Sequence, residues 1–423
     1  MYTHNAFNAL AALLLGQLLL VGCGDDRDDD PSIAGQTELD AGDTTARDTS
    51  EQTDDSGEVQ DTSMDDASID AAPDTTPTPE QYTEPGPYGI GFQRHEMSYT
   101  PEGAQEPRTL RVVFWYPTTA TDGELGQYAD LLPREGVFLN APVAVDEAAP
   151  VLVFTHGSSA IAEQSWFMAE FFATHGWIVV AMDHPGNTLF ERDNGLGVGP
   201  FVELRPQDVV ATIDYIDALP ASEALSGLFS DARLVSGHSF GGYTALAVVG
   251  ATYDVDNLDE ACEALEPRSC DLIEEAAPRL RGGYGDPRLK AAIPMTPGGY
   301  LLFGEGLADV DVPVLLMTGA RDTTLPEPEE GDPIWEALDG PDATRMVFLN
   351  AGHMTFSNLC EVVPNFAEDD GCGDSFLPPP DAHVIINAYS LAFARAHVLN
   401  DPQAMAWLQQ GFLLDGEVEV FEK

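Results

Sequence analysis

Gly237-His238-Ser239-Phe240-Gly241 puts a serine where an apolar run meets a helical one. Ala232-Arg233-Leu234-Val235 reads as a short buried strand, and Tyr243-Thr244-Ala245-Leu246-Ala247-Val248-Val249 as the first turns of a helix. A serine on so sharp a turn needs small neighbours, because the backbone folds back against the helix that follows, and Gly237, Gly241 and Gly242 supply them. A hydroxyl presented in this way suits nucleophilic chemistry, provided that a general base and an orienting acid lie within reach.

In chains with such an elbow the acid and then the histidine follow the serine in sequence. Of the nine histidines, His353, His383 and His397 come far enough after Ser239 to leave room for an acid-bearing strand. His383 and His397 belong to an Ala-rich helical pattern running from Ala382 towards Val398, where histidine packs or faces solvent. His353 instead follows the apolar run Met346-Val347-Phe348-Leu349 and the loop Asn350-Ala351-Gly352, which places it at the C-terminal end of a strand, the edge where such sheets carry their chemistry. The run from Val312 to Gly319 reads as another strand, and Asp322 stands in the turn after it. Ser239, Asp322 and His353 are therefore expected on one edge, with His353 taking the Ser239 proton and Asp322 holding the imidazole. Aspartate is also an ordinary turn residue, so Asp322 carries weight only as a member of the ordered set.

The same edge should hold donors for a developing oxyanion. Pro150-Val151-Leu152-Val153-Phe154 is a further buried strand ending in Thr155-His156-Gly157-Ser158-Ser159. The backbone N–H of Phe240, just after the serine, and that of Ser158, in the loop after this strand, are the expected pair. His156 precedes the serine and is expected to pack or hydrogen-bond beneath the loop.

With these motifs in place, the chain resembles the α/β-hydrolase fold, and within it the bacterial relatives of platelet-activating factor acetylhydrolase and the dienelactone-hydrolase-like esterases. The likeness covers about residues 87–400. It rests on Val113-Phe114-Trp115-Tyr116-Pro117, Phe154-Thr155-His156-Gly157, Met182-Asp183-His184-Pro185-Gly186-Asn187, the elbow, the segment from Asp286 to Ala292, and Ala351-Gly352-His353. The resemblance implies Ser239 as nucleophile, His353 as base, and Ser158 and Phe240 as oxyanion donors. It departs in two places. The animal acetylhydrolases carry their acid after the preceding strand, and the matching segment 292–297 has no carboxylate, which leaves Asp322. Dienelactone hydrolases use cysteine where this chain has Ser239, so that activity is not implied.

Alternation of strands and helices over residues 87–423 points to an α/β domain with a mostly parallel central sheet flanked by helices. It is expected to begin with antiparallel strands at 89–97 and 110–116, followed by an irregular insertion through Ala149. Helices are expected at 161–175 and 204–219, the latter from the spacing of Val209, Val210, Ile213 and Ile216. Residues 251–285 read as an insertion forming a lid or rim.

Ahead of this domain, an apolar run from Ala9 to Gly22 suits a signal peptide over residues 1–22. It ends in Leu20-Val21-Gly22-Cys23, which resembles a bacterial lipoprotein cleavage site with Cys23 as the lipidated residue. Residues 24–86 carry 20 Asp or Glu against two Arg with few large apolar side chains, so residues 23–86 read as a lipidated, extended acidic tether. The chain as a whole has a net charge of −54, which argues against nucleic-acid partners and against adsorption to anionic membranes. Contact with a membrane is then expected only through Cys23, in an exported, envelope-anchored protein, with free secretion as the alternative.

Cys262, Cys270, Cys360 and Cys372 allow three pairings. Export makes disulfides the default, and the short loops favour Cys262 with Cys270 and Cys360 with Cys372 over metal binding. The expected function is ester hydrolysis through an acyl-enzyme on a small-molecule or lipid ester of short to medium acyl chain, with no cofactor and no metal. Amide or peptide cleavage on the same fold, or a non-catalytic binding lipoprotein, are the alternatives.

Overall fold

The apolar runs of the sequence become the central strands of one eleven-stranded sheet in the computed structural model, which describes residues 76–191, 197–265, 267–363, 365–414 and 416–423. The expected signal peptide, Cys23 and the expected tether as far as residue 75 lie outside the described residues. The strands are β1 (Gly89–Tyr99), β2 (Arg108–Thr118), β3 (Leu125–Tyr128), β4 (Leu132–Leu139), β5 (Ala149–Thr155), β6 (Ile178–Met182), β7 (Phe229–His238), β8 (Ala292–Met295), β9 (Leu315–Gly319), β10 (Thr344–Phe348) and β11 (Val418–Glu422). Across the sheet the order is β11-β10-β9-β8-β7-β5-β6-β2-β1-β4-β3.

The six central strands from β6 to β10 run parallel. β6, β8 and β9 are buried at every residue. Burial on both faces explains why their sequences are continuous Val, Leu, Ile and Met runs without polar alternation. On one face Phe154, Met317 and Phe348 pack with the helices Trp166–Thr174 and Pro379–Val398. On the other, Val153, Val180 and Leu316 pack with the helices Gly199–Asp217 and Phe240–Val248. A parallel sheet sandwiched this way brings the C-terminal ends of β5, β7, β9 and β10 to one edge.

At that edge β7 ends at His238 and the next helix starts at Phe240, leaving Ser239 alone in the bend with φ 58° and ψ −121°. A non-glycine residue held there stores on the order of 1–3 kcal/mol of strain. The glycines around it are required by contact distance. A Cβ on Gly237 would lie 2.7 Å from Thr155 Cγ2, and one on Gly241 would collide with the Thr155 carbonyl, 2.7 Å from its carbon. Gly241→Ala is therefore expected to destabilise the domain by on the order of 3 kcal/mol despite alanine's better helix propensity. Thermal melts of the variant check this, and an unchanged Tm would show that the elbow tolerates a Cβ.

Several boundaries differ from the sequence reading, among them that of the second helix, expected at 204–219 and found at Gly199–Asp217. Residues 119–148 are not irregular: they contain β3 and β4, which extend the sheet, β4 pairing parallel to β1. Their hairpin turns at Ala129 and Asp130, both in the left-handed region with φ 52° and 60°, a tight turn without its usual Asn-Gly or Asp-Gly signature. The first expected helix starts at Trp166, because residues 162–165 form a turn in which the Gln164 N–H donates to Ile161 O at 2.9 Å. Residues 76–86, expected in the tether, pack on the domain. Tyr82 is buried edge-on against Trp407, and the Trp407 indole N–H donates to Thr78 O at 2.8 Å. Finally, β11 adds an antiparallel strand beyond β10.

Residues 251–285 form the helices Asp259–Ala264 and Pro267–Leu280, joined by the disulfide Cys262–Cys270. Ile273, Ala276 and Leu280 are buried, and Arg279 pairs with Glu203 on the helix Gly199–Asp217 at 2.6 Å. The insertion is thus a rim packed on that helix. The second disulfide joins Cys360 and Cys372, so both expected pairings are present. Among the described residues no helix is long and apolar enough to cross a membrane.

Candidate active site

Asp322 and His353 meet as the topology requires. Asp322 follows β9 and His353 follows β10, and His353 Nδ1 donates to Asp322 Oδ2 at 2.7 Å with both residues buried. The other carboxylate oxygen, Oδ1, accepts the backbone N–H groups of Thr324 at 2.9 Å and Leu325 at 2.7 Å. One oxygen is therefore fixed by the turn and the other is aimed at the imidazole. His353 Nε2 has no partner among the described residues, which leaves its lone pair available.

The elbow lies beside this pair. His238, the residue before Ser239, holds its ring 4.6 Å from that of His353 and its Nε2–H donates to His353 O at 2.9 Å. Ser239 N–H donates to Met295 O at 2.9 Å, tying the elbow to the end of β8. Burial keeps the His238 imidazole well below its usual pKa, so it is neutral, and its Nδ1 accepts from Gln164 Nε2 at 2.7 Å. Gln164 Oε1 in turn accepts the Gly157 N–H at 2.6 Å. One amide thus joins the loop after β5 to the elbow.

The two expected oxyanion donors sit in that junction. Among the described residues the backbone N–H groups of Ser158 and Phe240 make no turn, loop or cap hydrogen bond to another backbone group. The loop that carries Ser158 is held from below by Arg205. Its guanidinium donates to the His156 carbonyl oxygen and, at 2.7 Å, to Asn187 Oδ1, while Asn187 Nδ2 donates to Ser158 Oγ at 3.1 Å. Arg205 also lies 4.7 Å from the centre of the Phe240 ring. Burial pushes its pKa down to about 9, still cationic at neutral pH.

His156 is buried and lies apart from the Asp322–His353 pair. Its Nδ1–H donates to Gly157 O at 2.6 Å and its Nε2 accepts the His184 N–H at 3.1 Å, beneath the loop as expected. His383 stacks on Phe167 at 3.6 Å and donates to Thr355 O, with its pKa lowered to about 4 by burial. Asp183, which follows β6, is bound to Arg111 at 3.2 Å and to the Ala162 N–H at 2.7 Å, and burial raises it to about 6. Of the aromatic residues around the site, Trp166 is packed against Tyr128, Phe190 is 56 % exposed and Tyr300 donates its N–H to Glu330.

Sequence reasoning placed Ser239, Asp322, His353, Ser158 and Phe240 on this edge. It did not find Gln164, Arg205 or His238 as supports. Their roles depend on side chains that reach across the chain, Gln164 to His238, Arg205 to the His156 carbonyl and His238 to that of His353, and no local pattern signals that.

No family model matches the chain. It is 33% identical to hydrolase pyiE of Pyricularia grisea over 119 residues, 28% of this chain and 24% of that protein. It is 31% identical to alpha/beta hydrolase ucsC of Acremonium sp over 122 residues, 28% of this chain and 23% of that one. The chain thus spans about a quarter of the length of these curated relatives. Among solved structures, the ferulic acid esterase from Streptomyces cinnamoneus superposes with a TM-score of 0.54 at 20% identity, over 76% of this chain and 93% of that one. Together with the sheet order and elbow, these establish the α/β-hydrolase fold.

Proposed function

We propose that the chain is a serine hydrolase of carboxylic esters that works through an acyl-enzyme, with Ser239 as nucleophile, His353 as general base and Asp322 as the orienting acid. The observation that carries this reading is the buried 2.7 Å bond from His353 Nδ1 to Asp322 Oδ2 beside a serine held at φ 58°. Strain of that kind persists only where surrounding structure imposes it, and it aims the hydroxyl outward.

Ser239 Oγ attacks the ester carbonyl carbon as its proton passes to His353 Nε2. The carbonyl oxygen becomes an oxyanion facing the N–H groups of Ser158 and Phe240. The carbon–oxygen bond to the alcohol then breaks, and the alcohol leaves with the proton from His353. Water, deprotonated by the same imidazole, attacks the acyl-serine, and collapse of the second tetrahedral species releases the acid and restores Ser239. These residues and water account for every proton and bond in the cycle, so the reaction as written calls for no cofactor.

The substrate class is a small-molecule or lipid ester of short to medium acyl chain. The test is a panel of p-nitrophenyl esters from acetate upward, with methyl ferulate added because the fold neighbour is a ferulic acid esterase and a p-nitroanilide as the amide arm. Turnover of esters falling with chain length is expected. Cleavage of the anilide alone would move the reading to amide hydrolysis, and no turnover of any arm would favour a binding protein.

The same reading puts the protein outside the cytoplasm on a lipidated Cys23, with residues 24–75 as an acidic spacer. Two acyl chains, each contributing roughly 0.8 kcal/mol per buried CH₂, would hold it stably. Partition of the mature protein into detergent with Cys23 at its N-terminus is expected. Free protein in the medium with an N-terminus beyond Cys23 would overturn the anchor.

A further inference from the structure

Beyond the Asp322–His353 pair, a second buried carboxylate touches both of the loops that carry it. Asp370 Oδ1 accepts the backbone N–H of His353 at 2.8 Å and that of Thr323 at 3.0 Å. Its Oδ2 accepts the Thr324 hydroxyl at 2.6 Å, and its carbonyl oxygen accepts the Met354 N–H at 2.9 Å. Thr323 and Thr324 belong to the turn whose next N–H groups, Thr324 and Leu325, hold Asp322 Oδ1. Asp370 therefore fixes the base at its own backbone and the acid through the turn that grips it.

The segment around Asp370 is itself immobilised. The disulfide Cys360–Cys372 closes the loop that contains it, and the N–H groups of Asp370 and Cys372 both donate to Ala367 O, at 3.0 and 2.9 Å. Backbone packs on backbone with no room for a side chain. A Cβ on Gly352 would lie 2.6 Å from Gly371 N, and one on Gly371, whose φ is +118°, would lie 2.7 Å from Thr355 N. Further along, Arg321, the neighbour of Asp322, stacks on Phe376 at 4.0 Å and donates to Ser375.

We propose that Asp370 is a positioning residue, which sets the register of the His353 loop against the Asp322 turn and so keeps the 2.7 Å imidazole–carboxylate bond formed. It acts through Asp322 and His353 and touches no reacting atom. The inference rests on the proposed triad, but the contact it protects can be read without turnover.

The experiment is a double-mutant cycle of Asp370→Ala with Asp322→Asn, followed by ester kinetics and by the far-downfield proton resonance of His353 Nδ1–H. Displacement of a catalytic group by a fraction of an ångström to an ångström costs roughly 10- to 100-fold, so Asp370→Ala should lower kcat by about that factor with KM within roughly twofold. In the Asp322→Asn background the same change should cost less than about threefold, because the bond it maintains is already gone. Asp370→Asn, which keeps an acceptor for both N–H groups, should restore most of the rate. Thr324→Val removes one donor to Asp370 at nearly constant volume and should lower kcat by roughly 3- to 10-fold; it decides the matter if Asp370→Ala does not fold.

The downfield resonance should be present in the wild type and lost or broadened in Asp370→Ala. An equal rate loss in both backgrounds, a wild-type kcat in Asp370→Ala or Thr324→Val, or an unchanged resonance would overturn the proposal. A wild type that turns over no ester yet loses the resonance on Asp370→Ala would sink the esterase reading and leave the positioning role standing.

Discussion

Ser239→Ala should lower kcat for ester hydrolysis by roughly 10⁶-fold, about the loss seen when the nucleophile of a triad is removed. Its melting temperature should stay close to that of the wild type. Both halves follow from the geometry. The hydroxyl is the only atom removed, and no hydrogen bond from it is present among the described residues, so the fold loses little. The strained φ of 58° is imposed by the surroundings: Ser239 N–H is fixed on Met295 O, and Gly237 and Gly241 pack directly on Thr155. Alanine must adopt the same conformation, so the elbow, His353 and the Ser158 and Phe240 donors stay in place. Retention of most of the activity with an intact fold would remove Ser239 as nucleophile.

The second large effect is expected at Asp322, and the direction of its hydrogen bonds says why asparagine should be so damaging there. Oδ1 accepts two backbone N–H groups, at 2.9 and 2.7 Å, and Oδ2 faces His353 Nδ1. In Asp322→Asn the amide oxygen satisfies the two N–H donors, which turns the NH₂ towards His353. An amide donor there requires Nδ1 to be the acceptor, which moves the imidazole proton to Nε2 and leaves no lone pair for the Ser239 hydroxyl. A loss of roughly 10⁴-fold in kcat is expected, with KM little changed, as for the same wrong-tautomer substitution in other triads. Steady-state kinetics on a p-nitrophenyl ester measure it. Nearly unchanged kinetics would mean that another carboxylate orients the base, although Asp183 is already committed to Arg111 and the Ala162 N–H.

The residues at the active edge were legible because the fold leaves a local signature at each of them. A doubly buried parallel strand carries an apolar run, and the turn after it carries polar residues; β5, β7, β9 and β10 each contain such a run, and Ser158, Ser239, Asp322 and His353 stand past their ends. The edges of the sheet were harder. β4 is largely exposed and has no apolar run to announce it, and its turn through Ala129 and Asp130 uses left-handed residues other than glycine. Tyr82 is one aromatic in a Pro- and acid-rich stretch, and residues 76–86 are drawn onto the domain by long-range contacts, the Tyr82 ring on Trp407 and the Gly86 N–H on Thr174 Oγ1 at 2.9 Å. The supports of the site were silent for a related reason. Arg205 is the lone cation among apolar helix positions, and Asp370 is one acid in a strongly acidic loop. What distinguishes each is the set of groups it meets from distant parts of the chain.

The central claim, that Ser239 is the nucleophile activated by His353 and Asp322, is tested most directly by labelling the mature protein with a fluorophosphonate and mapping the adduct by peptide mass spectrometry. Phosphonylation needs a correctly oriented serine whose proton a neighbouring base accepts as fluoride leaves, and an oxyanion site, but it does not depend on knowing the natural ester. The account predicts one adduct per chain, on Ser239, strongly slowed in Asp322→Asn and absent in Ser239→Ala. No adduct on the folded wild type, or an adduct on another residue that persists in Ser239→Ala, would contradict it.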